Sequence, residues 1–359
     1  MRRRRTEGAR AIAWSAGPWT FGLAAALLSG VSPDRLTAQS APQLTNAGAL
    51  FLLLPVGAAA AGMGQTAITL EGSGEAVFWN PAGLATLPAS EFAVHTATFA
   101  AGPTNAVTLF FPRHGIGVFG GAVYLLDYGD QDVVDSSGVT IARIAPRNVE
   151  YLASFATQLP GGLSLGVTYK LIEFRVDCSG VCTGLPNGNG TTHAIDIGGQ
   201  FAVGPEGALR FGVAVRNIGF KLQVNNNDQA DPLPARIVFG AVYRVQLHAE
   251  SSPAGRGLDA GAAVPAAPPD RLDLRVAADI DTPWDNSAPP EMRLGVDLGF
   301  RDVVRLRGGY AFTRQGIAGP SVGVGIASGS IGVDFARTFM TGSDLITANP
   351  TFVSFRLTF

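Results

Sequence analysis

From residue 91 to the end, apolar and polar side chains alternate with a period of two. In Arg271-Leu272-Asp273-Leu274-Arg275-Val276-Ala277-Ala278-Asp279-Ile280, every odd position but Ala277 is charged and every even one apolar. Glu291 to Phe300 repeats the pattern with Glu291, Arg293 and Asp297 against Met292, Leu294, Val296 and Leu298. Arg305 and Arg307 then oppose Val304, Leu306, Tyr310 and Phe312, and Leu163 to Leu171 alternates in the same way. Successive side chains of a strand point to opposite faces, so each segment predicts a strand with one greasy and one polar side. Fourteen such strands can be placed, at 91–99, 105–112, 116–127, 148–158, 163–176, 192–203, 208–217, 235–247, 271–280, 291–300, 302–312, 320–327, 329–338 and 351–359.

A soluble sandwich and a membrane barrel both satisfy this pattern. Length and spacing separate them. Most segments have the 9–11 residues, roughly, of a membrane-spanning strand, and their number is even. Short connections (His114-Gly115, Pro160-Gly161-Gly162, Gly204-Pro205-Glu206-Gly207, Arg301, the Ser328 region) alternate with longer ones at 128–147, 177–191, 218–234, 281–290, 313–319 and 339–350. Barrels of the bacterial outer membrane have short periplasmic turns and long outer loops. The predicted fold is all-β: a transmembrane antiparallel β-barrel of about 14 strands, with residues 91–359 as the barrel. One connection breaks the alternation, the Ala/Pro/Gly-rich stretch 248–270.

Composition agrees. Charged residues are 15% of the 359 and glycines number 46, against about 25% charge in an ordinary soluble protein. The first residues divide into a cationic start (Arg2 to Arg5), a short apolar stretch (Trp19 to Val31) and a small-residue exit. This is the plan of a secretory signal peptide, expected over residues 1–38 with cleavage after Ala38 or Ser40; the alternative, a membrane anchor helix, would need a longer apolar core. Cleavage removes six arginines and two acids, which moves the formal charge from −2 to −6. Without a basic stripe, nucleic acid is not an expected partner. The two cysteines, Cys178 and Cys182, are candidates for a disulfide at a loop tip in an exported chain, or for a metal pair. The disulfide is favoured, because the four histidines lie far apart in sequence and only His193 is near the cysteines. No metal site or cofactor is expected.

Between leader and barrel, residues 39–90 carry the most apolar stretch of the exported chain, AGALFLLLPVGAAAAGM at 47–63. Pro55 and two glycines argue against a spanning helix. A segment packed against or inside the barrel fits better, with Gly62-Met63-Gly64 giving flexibility or close backbone approach. A strand-like run then ends at Trp79. Asn80 is a natural helix cap, Pro81 suits a first helical position, and Ala82 and Gly83 lead into one turn that Pro88 stops.

The string FLLLPVGAAAAGMGQTAITLEGSGEAVFWNPAGLATL resembles the N-terminal signature of the PorV/PorQ family, within the wider FadL-like group of outer-membrane proteins. Arg216-Asn217-Ile218-Gly219 and Arg305-Leu306-Arg307-Gly308-Gly309-Tyr310 add to the resemblance, which covers about residues 50–359. Ala59 and Gly72 depart from the family's arginine and acidic pair. The resemblance implies a fourteen-stranded barrel with an N-terminal plug or hatch, here Gly62, Met63, Gly64, Trp79, Asn80, Pro81, Ala82 and Gly83.

Two functions follow. A PorV-like barrel would serve type IX-like secretion by binding exported partner proteins through its long loops. A FadL-like barrel would pass hydrophobic small molecules. An enzyme is not expected: no GxSxG, no metal cluster and no Ser-His-acid set on matching strands is legible. Arg271, Asp273, Arg275, Asp279, Glu291, Arg293, Asp297, Arg305 and Arg307 are expected to face the lumen, as a self-paired network that fills it or as a selectivity lining. The last strand, TFVSFRLTF, ends in Phe359 and resembles the signal read by the barrel assembly machinery, with outer-membrane lipid as the other partner.

Overall fold

The computed structural model describes residues 47–182, 188–204, 207–224, 230–248, 271–313, 318–339 and 349–359. The leader expected over 1–38, with its cleavage point, and nearly all of the 248–270 connection lie outside them. No helix among the described residues is long and apolar enough to cross a membrane.

The period-two segments form strands that pair antiparallel with their chain neighbours. They are β1 (Glu91–Phe99), β2 (Gly102–Arg113), β3 (Gly117–Asp127), β4 (Gln131–Val134), β5 (Thr140–Leu159), β6 (Leu163–Gly180), β7 (Gly190–Val203) and β8 (Leu209–Gly219). Then come β9 (Arg236–His248), β10 (Arg271–Pro283), β11 (Glu291–Phe300), β12 (Val304–Phe312), β13 (Gly319–Ser328), β14 (Ile331–Thr338) and β15 (Thr351–Thr358). First and last strands meet, with Glu91 opposite Thr358. A β3–β5 pairing closes the ring and leaves β4 as an appendage on β5, so the wall has 14 strands. Closure leaves the wall no free edge inside lipid, where an unpaired backbone group costs several kcal/mol.

Along β11 buried and exposed positions alternate strictly until the last turns. The outward face carries exposed Leu109, Val167, Ile197, Phe239, Val296 and Phe335. So large an apolar belt is stable only where lipid covers it. At the short-turn end, the Phe111 ring meets Phe119 at 6.1 Å and Phe359 at 6.4 Å. Phe201 sits opposite Phe211. Phe359 also donates its backbone N–H to Ser90 O, 2.9 Å.

Three features differ from the sequence expectation. Stretches 128–147 and 177–191, expected as loops, hold β4 and the far ends of β5 and β6, which run to 20 and 18 residues. Past the lipid both faces of a strand are wet, so the alternation that betrays a strand fades. Cross-strand ion pairs brace the extension, Arg143–Asp132 at 3.0 Å and Arg147–Asp127 at 3.3 Å. Second, β1 and β2 join at the long-loop end through a tight turn, with Phe99 opposite Gly102. Third, the run before Trp79 is a 3-10 helix, Gly74–Phe78, capped by the Ser73 side chain. It reads as strand-like because it is buried on every side and so lacks any period.

Candidate functional site in the barrel lumen

Residues 47–90 lie against the inward faces of the wall strands. Their regular pieces are a 3-10 turn Leu50–Leu53, the helix α1 (Ala58–Gly62), and the 3-10 turns Gly74–Phe78 and Pro81–Thr86. Polar atoms of the wall fasten the backbone of this inner segment almost all the way round. Ser354 on β15 accepts from Ala58 N at 2.9 Å. Ser321 on β13 accepts from Gly64 N at 2.9 Å and donates to Gly62 O at 3.2 Å. One oxygen of Asp279 on β10 accepts from both Ala67 N (2.8 Å) and Ile68 N (3.1 Å). Glu91 on β1 accepts from Gly74 N at 2.6 Å, and Gln200 on β7 donates to Ile68 O and Leu70 O. Each bond satisfies a buried backbone group that would otherwise cost about 1–3 kcal/mol.

Gly62-Met63-Gly64 is where backbone meets backbone. Gly64 has φ +67, and a Cβ there would sit 2.4 Å from Tyr310 N; a Cβ at Gly309 would sit 2.2 Å from the Met63 carbonyl carbon. Gly309→Val should therefore displace the segment while β12 keeps its pairing. Faster protease cleavage within 47–90, with an unchanged heat-modifiable band on a gel, is the expected result; wild-type protection would refute it.

Asn80 is fully buried and works in two directions. Its Oδ1 caps the Pro81–Thr86 turn by accepting from Ala82 N at 3.1 Å. Its Nδ2 donates to Ile68 O at 2.8 Å and reaches the wall carbonyls of Gly199 (3.2 Å) and Val213 (3.4 Å). Pro81 and Ala82 press on Gly166 of β6, where a Cβ would meet the Pro81 carbonyl carbon at 2.3 Å; Gly83 packs on Leu70 O.

Trp79 donates its indole N–H to Val56 O at 3.0 Å, and the Arg216 guanidinium lies 5.6 Å from its ring centre. Next to it Lys170 is buried between Glu150 (3.0 Å) and Asp196 (2.8 Å) and donates to Asn217 Oδ1 at 2.9 Å. Asn217 holds φ 57 at a register shift between β7 and β8 and donates its backbone N–H to Asp196.

The charges on β10 to β12 line the interior. Asp273 takes Arg244 (2.6 Å), Arg275 (3.1 Å) and Arg305 (3.4 Å). Asp297 takes Arg305 (2.9 Å) and Arg307 (3.6 Å), and Arg307 continues to Asp334 at 2.5 Å. A second group joins Arg293 and Arg236 to Asp281 and Glu291. Asp279 stands apart: its bonds go to the inner segment's amides. The Arg271 side chain lies outside the described parts.

The inner segment separates two cavities. Toward the long-loop end, Leu52, Leu54, Val56, Phe78 and Trp79 face Arg216, Arg236 and Arg293 across a space of only about 30 Å³. Toward the short-turn end, a cavity of about 550 Å³ is lined by Glu75, Glu91, His95, Arg275, Arg305 and Arg356 among others.

One pair was not legible in the sequence. His95 Nδ1 and Ser354 Oγ meet at 2.8 Å on the neighbouring strands β1 and β15, so a Ser-His pair does exist on matching strands. The hydroxyl also accepts from Ala58 N, and His95 Nε2 has no hydrogen-bond partner among the described residues. Without a third group to orient the imidazole this is a fastening, unlike a nucleophile–base–orienter set. Cys178 and Cys182 form a disulfide, Cα to Cα 6.1 Å, at the far tip of β6.

No family model matches the chain, and no curated protein does. Solved structures do. The toluene transporter TbuX of Ralstonia pickettii aligns over 86% of this chain and 100% of its own, with 14% identity and TM-score 0.53. The toluene transporter TodX of P. putida aligns over 84% and 98%, with 10% identity and TM-score 0.53. The monoaromatic hydrocarbon channel CymD aligns over 85% and 97%, with 14% identity and TM-score 0.50. The fold is that of FadL-type outer-membrane barrels. A wall of this fold accounts for the outward-facing apolar belt.

Proposed function

We propose that the chain is an outer-membrane channel for small hydrophobic molecules, with residues 39–90 as its plug. The observation that carries this is the apolar set Leu52, Leu54, Val56, Phe78 and Trp79, which lines a constriction at the long-loop end of an otherwise charged lumen. Leu52, Val56, Phe78 and Trp79 also pack in the core between plug and wall, and together with Leu54 they turn part of their apolar surface to this space. They suit a solute that leaves water there. The FadL-type neighbours named as toluene and monoaromatic hydrocarbon channels support the same solute class. We infer a lateral exit at an irregular point of the wall. Between β7 and β8 the register shifts at Ile195/Ile197, beside the Asn80-Pro81 contact with Gly198. An apolar solute arriving there would leave sideways into lipid in preference to crossing the arginine-lined cavity.

The secretion reading ranks second. Beyond the PorV/PorQ-like wording of the sequence, it has the disulfide-tipped β4–β5–β6 extension, which offers a polar surface to a protein partner. Phe359, on the short-turn rim, is the group we assign to the assembly machinery.

The test uses vesicles with a lipopolysaccharide outer leaflet, which toluene crosses poorly. Purified protein should speed entry of labelled toluene several-fold. Entry no faster than in empty vesicles would sink the channel reading. If deletion of the protein strips exported proteins from the cell surface instead, the secretion reading takes its place.

A further inference from the structure

The carboxyl of Glu75 is the one acidic group carried into the lumen by the inner segment that is both fully buried and without an ion-pair partner among the described residues. It joins two pieces of that segment. Glu75 Oε1 accepts from Ala60 N inside α1 at 2.8 Å. Gly57, at φ +95, leaves the space the carboxyl occupies: a Cβ there would stand 1.9 Å from Glu75 Cδ. The same α1 is what Ser354 and Ser321 fasten to β15 and β13. So two serines hold α1 to the wall, and one buried carboxyl ties it to the next piece of the inner segment.

That carboxyl is buried yet borders the large cavity at the short-turn end, so a side-chain turn would bring it to that space. Groups of both signs face it across that cavity: Asp334 on β14, Arg307 on β12 and Arg356 on β15, with Glu91 and His95 on β1 nearby. Arg307 is engaged by Asp334 and Asp297, and Arg356 lies 3.9 Å from Glu91. The cations are thus committed elsewhere while the carboxyl stays put. A charged Glu75 would gain by turning out toward Arg307, Arg356 and cavity water, and that turn breaks its bond to Ala60 and empties the space against Gly57.

We propose that Glu75 is a proton-operated latch, neutral when α1 is seated and ionised when α1 is released. Burial supports it by pushing the Glu75 carboxyl from 4.5 up to about 7. A seated segment therefore keeps a proton that a released one, with an ordinary carboxyl, gives up. Seating is strongest below about pH 4.5, weakens as pH rises to about 7, and is flat above that. The full span of the shift corresponds to at most about three hundred-fold in the seated-to-released ratio. The inference rests on the plug role of residues 39–90, and not on which solute crosses.

The test is hydrogen exchange of the amides of Ala58 to Gly64 in the whole protein in nanodiscs, corrected for intrinsic pH dependence. Wild-type protection should fall ten-fold or more, roughly, between about pH 5 and about pH 8. Glu75→Gln keeps the acceptor for Ala60 N but cannot ionise, and should hold the acid-pH protection throughout. Wild-type protection that is flat with pH overturns the latch, as does a Glu75→Gln protein that titrates like the wild type. Absent toluene entry with this pH response intact would remove the channel reading and leave the latch standing.

Discussion

Asn80→Ala should unseat the inner segment while the barrel wall stays assembled. The substitution removes the cap on Ala82 N, worth about 1 kcal/mol. It also strands the fully buried Ile68 carbonyl of one of its donors and drops the links to Gly199 and Val213 of the wall. A buried polar group left short costs about 1–3 kcal/mol, so the seat should weaken by about 2–4 kcal/mol in all. Pro81→Ala added to it removes the fixed φ that starts the next turn and should deepen the effect. The measurement is single-channel conductance in planar bilayers: long-lived open events should appear at low voltage, with the heat-modifiable band unchanged. Wild-type conductance in the double variant would reduce Asn80-Pro81 to a folding element.

Lys170→Met should damage the wall itself. Glu150 and Asp196 would face each other in the interior with their shared cation gone, and breaking such a buried group costs about 3–5 kcal/mol. The expected result is a lower unfolding temperature of the heat-modifiable band and a lower yield of assembled barrel. Replacing all three members together (Lys170→Met, Glu150→Gln, Asp196→Asn) should recover much of the loss, because the two acids no longer face each other without their cation, while the nearby Arg216 keeps Asp281 as a counter-charge. If the triple variant is as unstable as Lys170→Met alone, the cost lies in packing against Asn217 and Trp79 and not in charge.

The two variants touch parts of the molecule that differ in how far the sequence exposes them. The wall strands are plain in the alternation of Leu272 to Ile280 or Met292 to Leu298, because lipid on one side and a polar lumen on the other force period two. Where that contrast ends, so does the signal: β4 and the outer part of β5, braced by Arg143 and Asp132, look like loop. Within the lumen, composition points to charge but not to its use. Asp279 looks like Asp273 and Asp297 along the chain, yet it holds two backbone amides while they hold arginines. Lys170, Glu150 and Asp196 are single polar residues on separate strands, and only the β5–β6–β7 register brings them together. Ser321, Ser354 and Glu75 carry no local motif. Their one sequence trace is a lone polar residue at an inward or buried position, which a barrel has many reasons to contain.

The bond from Ala58 N to Ser354 Oγ spans 296 positions of chain. The segment's other fastenings reach β13, β10, β8, β7 and β1, strands from both halves of the wall. A loop of that length closes at an entropic cost, and the partners must exist before closure is rewarded. Residues 47–90, although early in the chain, are therefore expected to seat last. Until β15 has joined β1, Ala58 N has no Ser354 to bond to, so a seated segment is expected to report a closed ring.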